Sequence, residues 1–477
     1  MTDSSAPAPP LCVDLDGTLL RGDIGVESAL VLLKRNPLYG FAMLAWLLRG
    51  LAYAKRRIAE RVELDPSILP YDARVVDWLR TQPDSRRIIL ASASDARLVQ
   101  PVADHLQLFD AVIASDGQRN LSGNAKATSL IEQFGERGFD YAGNASVDRA
   151  VWRHARHAIV VNATSTLVKT AKRNFDVTLV IPAPPAMLSN GWRALRPHQW
   201  LKNLLLFVPV LAAHHWSDMK ALATAALAWL AFSLCASGTY VVNDLLDLDA
   251  DRRHPRKRER PFASGALSLQ QGMLAAPLMV MFAFALSARY LPTVFSLALA
   301  SYVVLTLAYS IRIKRVPMLD VMVLAALYTL RLLAGGAATS VPVSFWLLSF
   351  SMFLFLGLAM LKRSAELHDL RERRGDTAAG RGYSVDDLPL VRTIGTASGL
   401  VSVLVLALYI DSTAGEALYR NPERLWLLCP ILLYWIARAW LVAQRGDMHD
   451  DPVVFAARDP ASWLLAALAA SVVWTAL

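Results

Sequence analysis

Apolar positions fall into two regimes along the chain. Over residues 1–190 the apolar runs are short: Leu11–Val13, Ile88–Ala91, Ala111–Ala114, Phe139–Ala142 and Ala158–Val161, with helix-like stretches between them. Short buried runs alternating with helices predict βαβ units around a parallel sheet. A helical insert, about residues 24–80, separates the first two runs. Within it Phe41–Ala54 is strongly apolar, but it is only about 14 residues long and is interrupted by Arg49. A span needs roughly 20 residues, so this segment is expected as a cap helix packed on the core or lying on the membrane surface. Ile181–Gly191, IPAPPAMLSNG, reads as a linker. From Trp200 onward the runs lengthen, and nine spans are expected, at about 204–216, 220–242, 270–288, 293–311, 318–337, 343–361, 389–410, 424–443 and 461–477.

Composition agrees with that division. The 477 residues are 55% hydrophobic and 19% charged, shifted toward membrane composition, which excludes a wholly soluble or disordered protein. A formal charge of +9 would suit nucleic acid, but the cations cluster in short loops between apolar runs. The basic loops are His254–Arg260, Arg312–Arg315 and Lys362–Arg381; the alternate loops carry little beyond Lys220, Arg289, Arg420 and Arg424. This asymmetry predicts a multi-pass inner-membrane protein with the basic loops and the N-terminal domain in the cytoplasm, and no nucleic-acid partner. Residues 1–10 are polar and proline-rich and read as a tail without signal-peptide features. Cys12, Cys235 and Cys429 form no CxxC spacing, which argues against a disulfide scaffold or a zinc site.

Four motifs in the first regime carry chemistry. Asp14-Leu-Asp-Gly-Thr18 follows an apolar strand, and carboxylates two apart at a strand end point the same way. Such a pair can hold Mg²⁺ while one member attacks phosphorus and the other moves the proton. Ser92 ends IILAS, Lys126 lies in GNAKATSL, and Gly143-Asn-Ala-Ser-Val-Asp148 ends another apolar run. In this order, and with an insert after the first motif, residues 11–180 resemble the haloacid-dehalogenase superfamily. The resemblance implies an α/β Rossmann-like domain with a helical cap. Asp14 would be the nucleophile, Asp16 the acid/base, Ser92 and Lys126 the phosphate ligands, and Asp148 would complete a Mg²⁺ site with Asp14 and Asp16. One position departs from the pattern: Asn144 stands where the fourth motif commonly has its first Asp. An active phosphatase and a weakened or structural head both remain open.

The densest cluster in the second regime is Asn243-Asp-Leu-Leu-Asp-Leu-Asp-Ala-Asp251, followed by a basic loop containing Lys257 and Arg260. Asp244, Asp247 and Asp251 are spaced by three and four, so on a helix they share one face. Carboxylates so close repel unless a cation sits among them, and Mg²⁺ bridging a diphosphate meets that need. With Arg196–Asn203, Tyr309–Lys314 and Leu361–Glu366, the cluster resembles the UbiA superfamily, closest to its decaprenyl-phosphate phosphoribosyltransferase branch. The resemblance covers about residues 193–370 and implies an all-α polytopic membrane domain over 196–477.

In that family's aromatic prenyltransferases a second Asp-rich motif stands near the sixth span; here the place reads LKRSAELHDL, led by Lys362 and Arg363. Cations suit a donor bearing an additional phosphate, such as phosphoribosyl pyrophosphate. The metal set is expected to be Asp244, Asp247 and Asp251 with Asn243. Lys202, Lys257, Arg260, Lys314, Lys362 and Arg363 are the phosphate candidates, and Asn203 belongs to the same branch-like block. Arg331, inside the fifth expected span, either meets the lipid phosphate or pairs internally. Tyr309 either orients the ribose or anchors its span, and His254 reads as a loop residue. The two halves together predict transfer of 5-phosphoribose to a polyprenyl phosphate followed by removal of the 5-phosphate. The alternatives are prenyl transfer to an aromatic acceptor and a lipid-binding scaffold with a degenerate head.

Overall fold

A computed structural model describes residues 8–184, 187–372, 382–448 and 451–477. Most of the expected tail, two residues of the expected linker and the end of the Lys362–Arg381 loop lie outside them. The chain forms two compact units: Met1–Ala194 with Asp244–Ala275, and Leu195–Asn243 with Ala276–Leu477.

The first unit is built on six parallel strands: β1 (Leu11–Asp14), β2 (Ile88–Asp95), β3 (Ala111–Ser115), β4 (Asp140–Gly143), β5 (Ala158–Val161) and β6 (Val177–Ile181), in the order β3-β2-β1-β4-β5-β6. Leu11 pairs with Ile88 on one side and with Asp140 on the other. Alternation along the strands fills two apolar layers. Leu11, Val13, Leu90, Ile159 and Val161 enter one, while Cys12, Ile89, Ala91, Tyr141 and Val160 enter the other. Both faces are therefore buried, which is why the strands read as unbroken apolar runs. The strand order reverses between β1 and β4, so the carboxyl ends of β1, β2 and β4 open a crevice in which open α/β sheets hold ligands.

The insert after β1 forms helices α1 (Ile24–Arg35), α2 (Tyr39–Leu47) and α3 (Leu51–Ala59) and continues to the Ala73–Arg80 helix. Asp72 caps this last helix through the Arg74 amide (3.2 Å), and its carboxylate also accepts from the Arg74 guanidinium (2.6 and 2.9 Å), Asn162 (2.9 Å) and Arg21 (3.3 Å). The proline-rich stretch expected as a linker ends β6, and helix Met187–Leu195 follows it.

In the second regime seven helices are long and apolar enough to cross a membrane: Met219–Leu246, Leu269–Tyr290, Thr293–Ile311, Leu319–Thr339, Phe345–Glu372, Val385–Ile410 and Pro422–Gln444. An eighth crossing would need Pro452–Arg458 and Pro460–Ala476, bent by 82°, to act as one. The expected nine are thus seven or eight among the described residues. The expected first span is a 3₁₀ segment, Pro197–Phe207, followed by the five-residue helix Val208–Ala212; prolines at both starts and the short length of each piece preclude a crossing.

The bundle's own core contains Leu206, Phe232, Phe295, Tyr302 and Leu327. Helices Phe345–Glu372 and Leu388–Ile410 meet through glycines. A Cβ on Gly357 would lie 3.2 Å from the Gly395 carbonyl oxygen, and one on Gly395 would lie 2.6 Å from the Met360 Cβ. Small residues at such contacts let two backbones pack where lipid offers no hydrophobic drive. At one end of the bundle Arg363, fully buried, pairs with Asp320 and Glu366, and the Tyr383 hydroxyl donates to Asp320 (2.7 Å).

Two outcomes are expected. Asp320→Asn removes the more buried of the two carboxylates that compensate the Arg363 guanidinium and should cost about 3 kcal/mol; thermal unfolding of the detergent-solubilised chain measures it. Burial alone would raise the Asp72 carboxyl, but hydrogen bonds from Arg74, Asn162 and Arg21 hold it well below the usual carboxylate range. Its contribution is therefore full above about pH 4 and is lost as pH falls toward that depressed value. Asp72→Asn should lower the melting temperature of the first unit at pH 7 and remove this part of its acid sensitivity, read by limited proteolysis across pH.

Candidate functional site

The crevice at the strand ends of the first unit collects the residues picked from the sequence. Asp14 closes β1, Ser92 lies in β2, Lys126 is in the first turn of the Asn124–Phe134 helix, and Asp148 ends the turn Ser146–Asp148 after β4. Lys126 Nζ lies 2.6 Å from Asp14 Oδ1, 3.2 Å from the Ala91 carbonyl and 3.0 Å from the Tyr141 hydroxyl, which donates to Asp148 Oδ1 (3.1 Å). Asp148 Oδ2 also accepts from the amides of Asn144 (3.0 Å) and Ala145 (2.9 Å). Asp16 accepts from the Ile24 amide (2.7 Å) and the Ser94 hydroxyl (2.8 Å), and Ser92 Oγ accepts from the Ser94 amide (3.0 Å). Tyr141 and Ser94 escaped the sequence reading, one because a strand tyrosine reads as core, the other because the strand continues past Ser92 to Asp95.

Gly17 turns the chain after the carboxylate pair at φ +78°, and a Cβ there would lie 2.0 Å from Asn144 Nδ2. Asn144 thus lies directly against the turn. Burial, and then Asp148 and Asp16, push the Asp14 carboxyl up to about 7 against the pull of Lys126. Asp16 is pushed up to about 6, mainly by burial and by Asp23. Such crowding calls for positive charge, and the all-oxygen donor set of Asp14, Asp16 and Asp148 suits a hard cation. As placed, no three acidic, histidine or cysteine side chains among the described residues close a metal shell; the Lys126 ammonium neutralises Asp14 instead.

The Asp-rich segment departs from a single helical face. Helix Met219–Leu246 stops before Asp247, whose backbone (φ −103°, ψ 15°) breaks the run, and helix Leu248–Arg253 follows. Asp244 and Asp251 still come together, held by one Arg260 nitrogen at 3.2 and 2.6 Å, while Asp247 lies 3.4 Å from Lys34 Nζ of α1. Burial raises the Asp251 carboxyl, with Arg260 opposing. Segment Asp244–Ala275 belongs to the first unit rather than to the bundle. Arg252 forms a bidentate, buried pair with Glu27, Arg253 meets Asp65 (3.0 Å), and Gln270 meets Asp23 (3.0 Å). So polar a segment finds partners there that apolar helices lack. His254 Nδ1 accepts from the amides of Arg256 (3.2 Å) and Lys257 (3.4 Å), a loop role as expected, and Lys257 starts the turn Lys257–Glu259. Asn243 lies half-buried in the last turn of the Met219–Leu246 helix.

Within the second unit a separate cluster forms. Lys202 and Lys362 both reach Asp451 Oδ2, at 2.8 and 3.0 Å, and the Tyr328 hydroxyl donates to Asp451 Oδ1 (3.3 Å). Arg331 donates to Asn203 Oδ1 (2.9 Å) and to the Leu327 carbonyl, and its guanidinium lies 5.1–5.6 Å from the ring centres of Phe232, Tyr302 and Tyr328. Asn203 in turn donates to Ser233 (2.9 Å). Arg331 thus has hydrogen-bond partners inside the bundle, and three π faces stabilise its buried charge. Arg363 is committed to Asp320 and Glu366. Tyr309 is half-buried near the end of the Thr293–Ile311 helix, and Lys314 lies in the turn Ile313–Arg315. Asp451 and Tyr328 were not found from sequence. The only signal for Asp451 was an acid before Pro452, the usual start of a helix.

Comparison with known proteins identifies the family of the chain. The UbiA prenyltransferase family matches residues 204–474. An uncharacterized protein, y4nM, of Sinorhizobium fredii is 36% identical over 466 residues, 97% of this chain and 90% of that protein. The decaprenyl-phosphate phosphoribosyltransferase of Mycobacterium tuberculosis is 32% identical over 293 residues, 60% of this chain and 94% of that enzyme. A solved UbiA homolog from Archaeoglobus fulgidus, bound to GPP and Mg²⁺, aligns over 60% of this chain and 99% of its own at 18% identity, with a TM-score of 0.46. Because that family match extends over more than half of the chain, the chain belongs to the UbiA prenyltransferase family.

Proposed function

We propose that this chain is an inner-membrane pentosyltransferase that moves 5-phosphoribose from phosphoribosyl pyrophosphate to a polyprenyl phosphate, and that its N-terminal unit then removes the 5-phosphate. The observation that carries the transfer reading is the convergence of Lys202 and Lys362 on Asp451. Lys362 stands where a second Asp-rich motif would be, so this position offers cations to an anion instead of carboxylates to a second metal. The 32% identity to a decaprenyl-phosphate phosphoribosyltransferase supports the same donor and acceptor. The basic loops support an orientation with both sites toward the cytoplasm.

The transfer needs no strong base, because a polyprenyl phosphate is already an anion. Its oxygen attacks C1 of the ribose as the bond from C1 to the pyrophosphate oxygen breaks, through an oxocarbenium-like state. Asp244, Asp247 and Asp251, with Asn243, would hold Mg²⁺, which supplies charge neutralisation for the departing pyrophosphate. Arg260 and Lys257 take the remaining charge beside them, while Lys202, Lys362 and Lys314 serve the other phosphates. Arg331 and Asn203 hold the wall around Lys202. Arg363 acts by keeping its end of the Phe345–Glu372 helix in place, and Tyr309 orients the sugar. In the head, Asp14 Oδ attacks phosphorus, Asp16 gives its proton to the leaving ribose oxygen, and a water then cleaves the aspartyl phosphate. Lys126 and Ser92 hold the phosphoryl oxygens, and Asp14, Asp16 and Asp148 would hold Mg²⁺, which screens the incoming dianion.

The test incubates purified chain with radiolabelled phosphoribosyl pyrophosphate and a polyprenyl phosphate and separates the lipid products by charge. Asp247→Asn is expected to lose lipid labelling while the protein stays folded. Lys362→Ala is expected to raise KM for phosphoribosyl pyrophosphate by about tenfold or more, the usual effect of losing one charged contact to a bound phosphate. Consumption of a prenyl diphosphate with an aromatic acceptor, and none of phosphoribosyl pyrophosphate, would sink the proposal.

For the head, Asp14→Asn should leave transfer intact and make the 5-phosphorylated lipid accumulate, because an amide does not attack phosphorus. If wild type and variant release the same phosphorylated lipid at every Mg²⁺ concentration, the head is not the second enzyme.

A further inference from the structure

The cap of the first unit carries an apolar surface that its own unit leaves bare. No residue of α2 is buried. Leu38, Phe41, Leu44, Leu47, Leu48 and Leu51, on and around it, range from 48% exposed at Leu47 to 91% at Leu48. A contiguous patch of that kind on a protein surface marks a contact with something apolar. Nine residues of helix rise only about 14 Å, less than half a bilayer's hydrocarbon thickness of roughly 30 Å, so α2 can enter a membrane surface without crossing it.

The charges beside the patch are mainly basic, with Glu60 paired to Arg57 (3.1 Å) and Arg61 (3.4 Å) as the acid among them. Between Glu27 and Glu60 the chain has no acidic residue, yet it carries Lys34, Arg35, Arg49, Lys55, Arg56 and Arg57. Arg57 and Arg61 lie 6.0 and 5.0 Å from the Trp46 ring centre, and Arg49 and Arg57 lie 5.7 and 5.8 Å from that of Tyr53. Trp and Tyr ringed by guanidinium groups next to bare leucines are the side chains that settle at the level of lipid headgroups. A protein partner would be expected to present acids to these arginines; an anionic bilayer presents phosphates and hydrocarbon together.

Helix α3 joins this surface to the crevice. Lys55 Nζ bonds the Ala93 carbonyl (2.6 Å), next to Ser92, and Asn120 Oδ1 (2.9 Å), while Arg56 pairs with Asp95 at the end of β2 (3.3 Å). The rim of the Asp14 site is thus tied to the helix that follows the apolar patch.

We infer that α2, with the residues flanking it, is an anchor for an anionic bilayer surface, and that it presents the Asp14 site to phosphate esters carried by membrane lipids. The choice of substrate rests on the phosphatase reading above; the anchoring does not. The full chain is reconstituted in nanodiscs of phosphatidylcholine with phosphatidylglycerol, in a Cys429→Ser background, since Cys12 and Cys235 are buried. A nitroxide is placed at Leu44→Cys or, as an exposed reference on the same unit, at Glu132→Cys. The Leu44 label is expected to collide more with oxygen than with a water-soluble nickel chelate, and the Glu132 label the reverse. A water-like signature at both positions, or a Leu44 label shielded from both reagents as by a protein partner or second copy, overturns the anchor.

The second arm compares Phe41→Asp/Leu44→Asp/Leu48→Asp with wild type on two phosphates. Hydrolysis of soluble p-nitrophenyl phosphate should be unchanged, and hydrolysis of the 5-phosphoribosyl lipid should fall at least tenfold. Equal rates on the lipid overturn the inference. If wild type hydrolyses neither ester, the phosphatase reading fails, and the nitroxide result alone decides the anchor.

Discussion

A charge removed from water must be answered where it lies, and the side chains that answer define both units of this protein. Lys126 neutralises Asp14 between β1 and its neighbours, and Arg252 neutralises Glu27 and thereby fixes the acidic segment against α1. In the bundle Arg363 is matched by Asp320, and Asp451 by two lysines. Each pairing joins residues far apart in sequence, so the desolvation cost is recovered only when the elements carrying them are correctly arranged. Apolar burial brings the sheet and the helices together; these pairs select one arrangement among those that hydrophobicity alone would allow.

What the sequence made legible follows from how local each signal is. The five short apolar runs and most of the long spans depend on contiguous residues, and they were read with small boundary errors; β6, an edge strand only partly buried, was not among them. The expected crossing at 204–216 failed because Pro197 and Pro209 and a thin apolar stretch leave too little continuous helix. Asp14, Ser92 and Asp148 were legible because each follows its own apolar run and strand ends share one edge of a parallel sheet, whereas Lys126 reaches them from the first turn of a helix. Tyr141 and Asp451 were not legible. Nothing near Tyr141 reveals that its hydroxyl bridges Lys126 to Asp148, and Asp451 meets lysines 89 and 249 residues away. The same limit hid the bend at Asp247, since a three-and-four spacing states only what a continuous helix would do.

The first unit is also discontinuous in sequence. The chain leaves it at Ala194 and returns at Asp244, so a cut at the proline-rich stretch does not isolate a domain. A fragment ending there lacks Arg252 and carries a buried Glu27 with no cation, while the remainder carries the converse charge. The two activities proposed for this chain are therefore bound together by folding as well as by chemistry.

The shared carboxylate of Asp451 also sets a charge. Two ammonium groups on one carboxylate leave a single positive charge over. Asp451 is tethered to the chain, so it is not exchanged as a free counter-ion would be. In the transfer proposed above, a phosphate would therefore meet one surplus charge and not two free cations, and the pull on that anion would be set by Asp451 as much as by the lysines.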